Sequence, residues 1–243
     1  MGKRDLEEYV LGLAKPLLLS LYGDYEIDFT QVDRPDAAIS VSRPHKRFGR
    51  DRNPIKVGVE ITTVDSKGAL AYLNDEKFGC DLVSAQIDNS LSYGVDSDRP
   101  TKKIGVKVGE SYIYDGAKSK ANKYSDYASA GNFGEVILLC FSDFVCVDST
   151  LFKEKLSQWT NFHMSVNRFP FDKVLFVSLG SRKAVKVYDK RNRLSVRPVP
   201  YGSEDTLLRV EGPFMRTNVT YQLDKIISNQ PLIAPKSNGK SKR

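Results

Sequence analysis

Two short stretches of the chain place acids where acids are costly. Arg34-Pro35-Asp36 opens one apolar segment, and Val59-Glu60-Ile61-Thr62 closes another. In the second segment Ile55, Val57, Val59 and Ile61 alternate with Lys56, Gly58, Glu60 and Thr62. This is the period-two pattern of a half-buried strand, so Glu60 and Thr62 share a face, roughly 7 Å apart, with Gly58 behind them. The opposite face is aliphatic, and a carboxylate in such surroundings needs a partner. If the two segments are antiparallel neighbours, Asp36 at the start of one comes beside Glu60 at the end of the other. Converging carboxylates repel, and a divalent cation relieves the repulsion while supplying a Lewis acid. Mg²⁺ or Mn²⁺ held by Asp36, Glu60 and the Ile61 carbonyl would polarise a scissile phosphate and acidify a bound water, which is the chemistry of phosphodiester hydrolysis. Ordinary explanations stand beside this one. Pro-Asp is a common turn dipeptide, and a structural ion pair with Lys56 or Arg34 would account for Glu60 equally well.

The elements that must position these residues are legible as patterns. Leu6, Tyr9, Val10, Leu13, Leu17 and Leu21 mark one face of an amphipathic helix over 5–21, with a kink expected at Pro16. Strands are predicted at 25–29, 36–42 and 55–62. Helical spacing follows over 65–93, broken near Phe78-Gly79, and again over 114–128, where Tyr114, Ala117, Ala121, Tyr124 and Ala128 form a narrow stripe of mostly small residues. Apolar strands are expected at 135–147 and 173–179, a short helix at 150–159, and further strands at 185–188 and 194–199. Continuous apolar strands separated by helices imply an α/β fold, a mixed central β-sheet flanked by helices. The expected organisation is a core over 1–180, a C-terminal β-rich extension of the same domain over 181–234, and a disordered basic tail over 235–243.

The Pro35-Asp36 hairpin, the Glu60 strand and the order of helices and strands around them, over about residues 5–147, resemble the PD-(D/E)XK nuclease superfamily. The resemblance implies a restriction-endonuclease-like core and a Mg²⁺- or Mn²⁺-dependent endonuclease, with Asp36, Glu60 and Ile61 at the metal. It also implies a glutamate from the first helix, for which Glu8 or Glu7 is the matching position. The family's strand lysine, two residues after the acid, is Thr62 here. In this superfamily the lysine can come from another element, and the 114–128 helix offers Lys118, Lys120 and Lys123. Lys120, one turn from both Ala117 and Tyr124 at the edge of the packed stripe, is best placed to reach inward. Lys123 is second. A lysine would stabilise negative charge on the attacking water or the phosphate, and threonine cannot.

Charge supports a polyanionic partner. Lys and Arg number 37 against 30 Asp and Glu, a net +7, and the excess is clustered. Arg43, Lys46, Arg47, Arg50 and Arg52 lie between the two motif strands with Asp51 the only acid, and are expected to contact nucleic acid, DNA above all, with Phe48-Gly49 at the tip. A second strip, Arg182 to Arg197, either extends that footprint or protects a sheet edge. The alternative function is a catalytically inactive protein of the same fold, a viral or mobile-element factor that binds nucleic acid or a host protein. A homodimer is compatible with either.

Composition excludes other classes. Two histidines, His45 and His163, and three cysteines without a CxxC pair make a zinc centre improbable. The longest apolar run, Val136 to Phe141, is far short of the roughly 20 residues of a membrane span. The acidic start of the chain carries no export signal, so a cytoplasmic protein of a bacterium or a host cell is expected.

Overall fold

A computed structural model describes residues 3–28, 31, 35–42, 55–73, 101–202 and 207–213. The chain divides into two compact units, one formed by residues 1–65 and 107–207, the other by 66–106 and 208–243. In the second unit the described elements are α2 (Lys67–Leu73) and a two-stranded sheet of β4 (Thr101–Lys107) and β8 (Leu207–Pro213), each strand having one terminal residue in the first unit.

The first unit is built on a six-stranded mixed open sheet of order β1-β2-β3-β5-β6-β7. Its strands are β1 (Tyr25–Ile27), β2 (Ala37–Val41), β3 (Ile55–Thr63), β5 (Glu135–Ser142), β6 (Lys173–Ser178) and β7 (Lys183–Asp189). The β1–β2, β2–β3 and β6–β7 pairs are antiparallel, whereas β3–β5 and β5–β6 are parallel. The parallel strands need crossovers. That from β5 to β6 carries a π-helical turn (Leu151–Leu156) running into α5 (Ser157–Val166), and the connection from β3 to β5 includes α3 (Tyr112–Ala121) and α4 (Tyr124–Ser129).

The sheet is buried on both faces, which is why β5 and β6 read as unbroken apolar runs. On one face α1 (Lys3–Tyr22) lays Val10, Leu11, Ala14, Leu18 and Tyr22 against Ile39, Val57, Val59, Ile61, Ile137, Leu139 and Leu175. Each valine, leucine or isoleucine among them, fully buried, contributes on the order of 1.5–3 kcal/mol. The other face of β3 carries Gly58, Glu60 and Thr62.

Several expectations are corrected. The buried stripe of α1 is rotated by one residue from the predicted one: Leu6, Leu13, Leu17 and Leu21 only flank the core, and Tyr9 is 38% exposed. Leucines surround most of this helix, so the small Ala14, which sets the true face, is masked in a hydrophobicity count. The helix runs through Pro16 as one element. The 114–128 helix is two, separated at Asn122–Lys123, with Ile113, Ala117 and Tyr127 as the buried residues. The strand from 135 ends at Ser142, because the Ser142 hydroxyl accepts the Phe144 and Val145 N–H groups and turns the chain. Residues 194–199 are not a strand. This segment crosses Trp159, whose indole N–H donates to the Val199 carbonyl at 2.9 Å.

Candidate functional site

Strand β3 is longer than its neighbour β2. The ladder between them stops at Ala37 opposite Val59, while β3 continues beside β5 to Thr63. Past the end of β2, the Asp36 side chain takes over the missing rung: Oδ2 accepts the Ile61 N–H at 2.8 Å. In an extended strand a residue's N–H and C=O point to the same side, so the Ile61 carbonyl also faces the edge that β2 has vacated. Two acids and one carbonyl therefore meet where a strand ends.

Two glycines make the approach possible. A Cβ on Gly58 would lie 2.9 Å from Pro35 Cγ and 3.4 Å from the Phe133 ring, so Pro35 packs on bare backbone and fixes the entry to Asp36. A Cβ on Gly116 would lie 2.6 Å from Val64 Cα, so α3 touches the end of β3 at this point. One turn further along α3, Lys120 donates to Glu60 Oε1 in an ion pair.

Glu60 is 2% exposed, and its Oε2 is buried without a partner in ordinary hydrogen-bond geometry. Burial pushes its carboxyl above the usual value of 4.5, and the neighbouring negative charge of Asp36 adds to this. Lys120 pulls the other way, and the Tyr127 hydroxyl on α4 makes a lesser hydrogen-bonding contribution in the same direction. Lys3 lies 3.7 Å from Asp36 Oδ1 and 3.1 Å from Glu7 Oε1, and the Glu7 contact, ahead of the charges of Asp36 and Glu60, raises its pKa.

The structure thus brings Asp36, Glu60, the Ile61 backbone and Lys120 together. Of the two first-helix acids, Glu7 joins the cluster through Lys3, whereas Glu8 is exposed and pairs with Arg4 at 3.2 Å. Lys56 does not partner Glu60; it pairs with Asp28 at 2.7 Å. Arg34, Arg43, Lys46, Arg47, Arg50, Arg52, the Phe48-Gly49 tip and the C-terminal tail lie outside the described residues. The 182–197 strip is largely engaged on or near the edge strand β7. Lys183 pairs with Asp148, Lys186 with Asp189, Arg191 with Glu135, and Arg197 stacks 5.4 Å from the Trp159 ring centroid.

Two further polar centres had no signal in the sequence. Buried Asp65, just past β3, accepts Tyr112 Oη at 2.8 Å, Ser142 Oγ at 2.5 Å and the Asp143 N–H at 2.6 Å. Burial raises the pKa of both Asp65 and Tyr112. Glu135 and Lys173, which head β5 and β6, form a buried ion pair to which Tyr22 Oη adds a 2.8 Å bond.

Among the described residues no helix is long and apolar enough to cross a membrane, and no three His, Cys, Asp or Glu side chains form a metal-ligand group. No known family model, curated protein or solved structure matches the chain. Its site must be read from its own geometry.

Proposed function

We propose that the chain is a divalent-metal-dependent nuclease of the PD-(D/E)XK type, hydrolysing phosphodiester bonds in DNA. The observation that carries this reading is the reach of Lys120 from α3 to Glu60, opposite Asp36. An amine from a second element thereby stands where Thr62 cannot supply one.

The donor set suits Mg²⁺ or Mn²⁺. It is all oxygen, it comprises two carboxylates and a strand-edge carbonyl, and Mg²⁺ is commonly held by one or two carboxylates with water completing its shell. Glu60 Oε2, buried without a partner in ordinary hydrogen-bond geometry, is available to a cation. Asp36, Glu60 and the Ile61 carbonyl would hold the ion. When bound, it would supply Lewis-acid polarisation of a phosphate and an acidified water. Lys120, relieved of part of its duty to Glu60 by that charge, would place its ammonium on the attacking oxygen or the phosphate. Glu7, held near Asp36 by Lys3, can accept a proton or steady a water beside the ion.

Cleavage of plasmid and oligonucleotide DNA with Mg²⁺ or Mn²⁺ tests this. Asp36→Ala, Glu60→Ala and Lys120→Ala should each lower the rate at least a hundredfold. Equal activity in wild type and all three variants would remove the proposal. The commitment of the Lys120 ammonium to Glu60 itself favours a second reading, a protein of this fold that binds nucleic acid or a host protein without cutting. That reading predicts salt-dependent DNA binding and no cleavage with either metal.

A further inference from the structure

A cavity of about 340 Å³ opens between α1 and the edge strand β1, and it shares Asp36 and Ile61 with the candidate metal site. This volume is at the low end of small-molecule sites, roughly 300–1,000 Å³. Two rows of α1 at i, i+4 spacing line it, Arg4-Glu8-Gly12 and Glu7-Leu11-Lys15. Tyr25 and Ile27 line it from β1.

Gly12 makes room in the helix wall, since a Cβ there would meet nothing within 4 Å. Its carbonyl has also lost its helical donor, because residue 16 is proline and carries no N–H. All four acids on the lining have a cation beside them: Lys3 lies by both Glu7 and Asp36, Arg4 by Glu8 and Lys56 by Asp28. Lys15 makes no ion pair among the described residues. A cavity with largely apolar walls, Tyr25 among them, and with Lys15 on its lining suits a planar heterocycle carrying a phosphate.

We infer that this cavity receives one unstacked nucleobase of the substrate, placing the attached phosphate toward Asp36 and Glu60. The inference rests on the metal-site reading above and narrows the substrate to single-stranded, terminal or extruded nucleotides. A base inside a continuous duplex cannot enter a pocket without leaving the stack.

The test uses the full chain with Ca²⁺ in place of Mg²⁺, titrated calorimetrically with deoxyadenosine 5′-monophosphate and, separately, with deoxyribose 5-phosphate. Wild type should bind the nucleotide at least tenfold more tightly. Gly12→Leu, which fills the cavity and replaces glycine by a better helix former, should lose that advantage with no fall in Tm. Tyr25→Ala should lose about tenfold by forfeiting base stacking. Neither variant should alter binding of the base-free phosphate. Equal affinity for the two ligands in wild type, or full nucleotide affinity in Gly12→Leu, would overturn the inference. The metal-site reading has its own readout, the cleavage rate of Glu60→Gln. Glu60-dependent cleavage with an unchanged KM for single strands in Gly12→Leu would sink the base pocket and leave the metal site standing.

Discussion

Replacing Lys120 by Met removes one charge while keeping an unbranched stem over Glu60, and the consequence can be worked out from the site. Burial and Asp36 already hold the Glu60 carboxyl above its ordinary 4.5, and Lys120 is the main group opposing them. Without the ammonium, an ionised Glu60 would be an uncompensated buried charge costing several kcal/mol, so the carboxyl takes up a proton instead. Protonation caps the loss. At about 1.36 kcal/mol per pH unit, holding a carboxyl of unfolded pKa 4.5 protonated costs about 3.4 kcal/mol at pH 7 and about 0.7 kcal/mol at pH 5.

The sign follows from proton counting. A folded-state pKa raised above 4.5 means that the native state keeps a proton the unfolded chain has released, so stability falls as pH rises from 4.5 to the folded-state pKa and is then level. Lys120 shortens that window in the wild type, and its removal extends it to higher pH. Urea unfolding should therefore show Lys120→Met less stable than wild type by about 2–3 kcal/mol at pH 7 and by under about 1 kcal/mol at pH 5. Adding Glu60→Gln should abolish the difference between the two pH values. A loss of the same size at both would refute the coupling of Lys120 to Glu60, and the proposed role of the lysine with it.

The remaining predictions concern the supports of the site. Gly116→Ala sets a methyl 2.6 Å from the Val64 backbone, so α3 must lift from β3; a loss of about 1–3 kcal/mol in urea unfolding is expected, together with the cleavage defect of Lys120→Ala. Lys173→Met strands Glu135 with Tyr22 and Arg191 alone and should cost about 3–5 kcal/mol in the same assay. Cleavage by the surviving folded protein should be unchanged, since Glu135 and Lys173 lie at the other end of the strands.

How much of this could be read in advance depended on distance along the chain. The alternation from Ile55 to Thr62 fixes which face Glu60 occupies, because strand periodicity is local and β3 is buried on both sides. Lys120 was legible from its position at the edge of a stripe of small residues, even though the helix bearing it ends one residue later. Asn122 and Lys123 have ordinary helix propensity, so nothing in their types announces the break. The choice of Glu7 over Glu8 turned on the rotation of α1. Glu7 lies one turn before Leu11, which is buried, and an excess of leucines concealed that face. The Asp65 and Glu135 centres join residues 77 and 38 positions apart, and no periodicity carries such information.

The two buried acid–lysine pairs make a useful contrast, since they share one chemistry and differ in the charges around the carboxylate. Lys173 and Tyr22 bond Glu135 Oε2, and although its buried Oε1 makes no hydrogen bond, the Arg191 guanidinium lies 3.4 Å from it. Two cations face this one acid, so the pair reads as a fastening between β5, β6 and the end of α1. Glu60 has Lys120 on one oxygen, a second oxygen without a partner in ordinary hydrogen-bond geometry, a lesser contribution from Tyr127, and Asp36 close enough to raise its pKa. At Glu60, Asp36 and Glu7 three acids share two lysines, Lys120 and Lys3, and a bound divalent cation would remove that deficit.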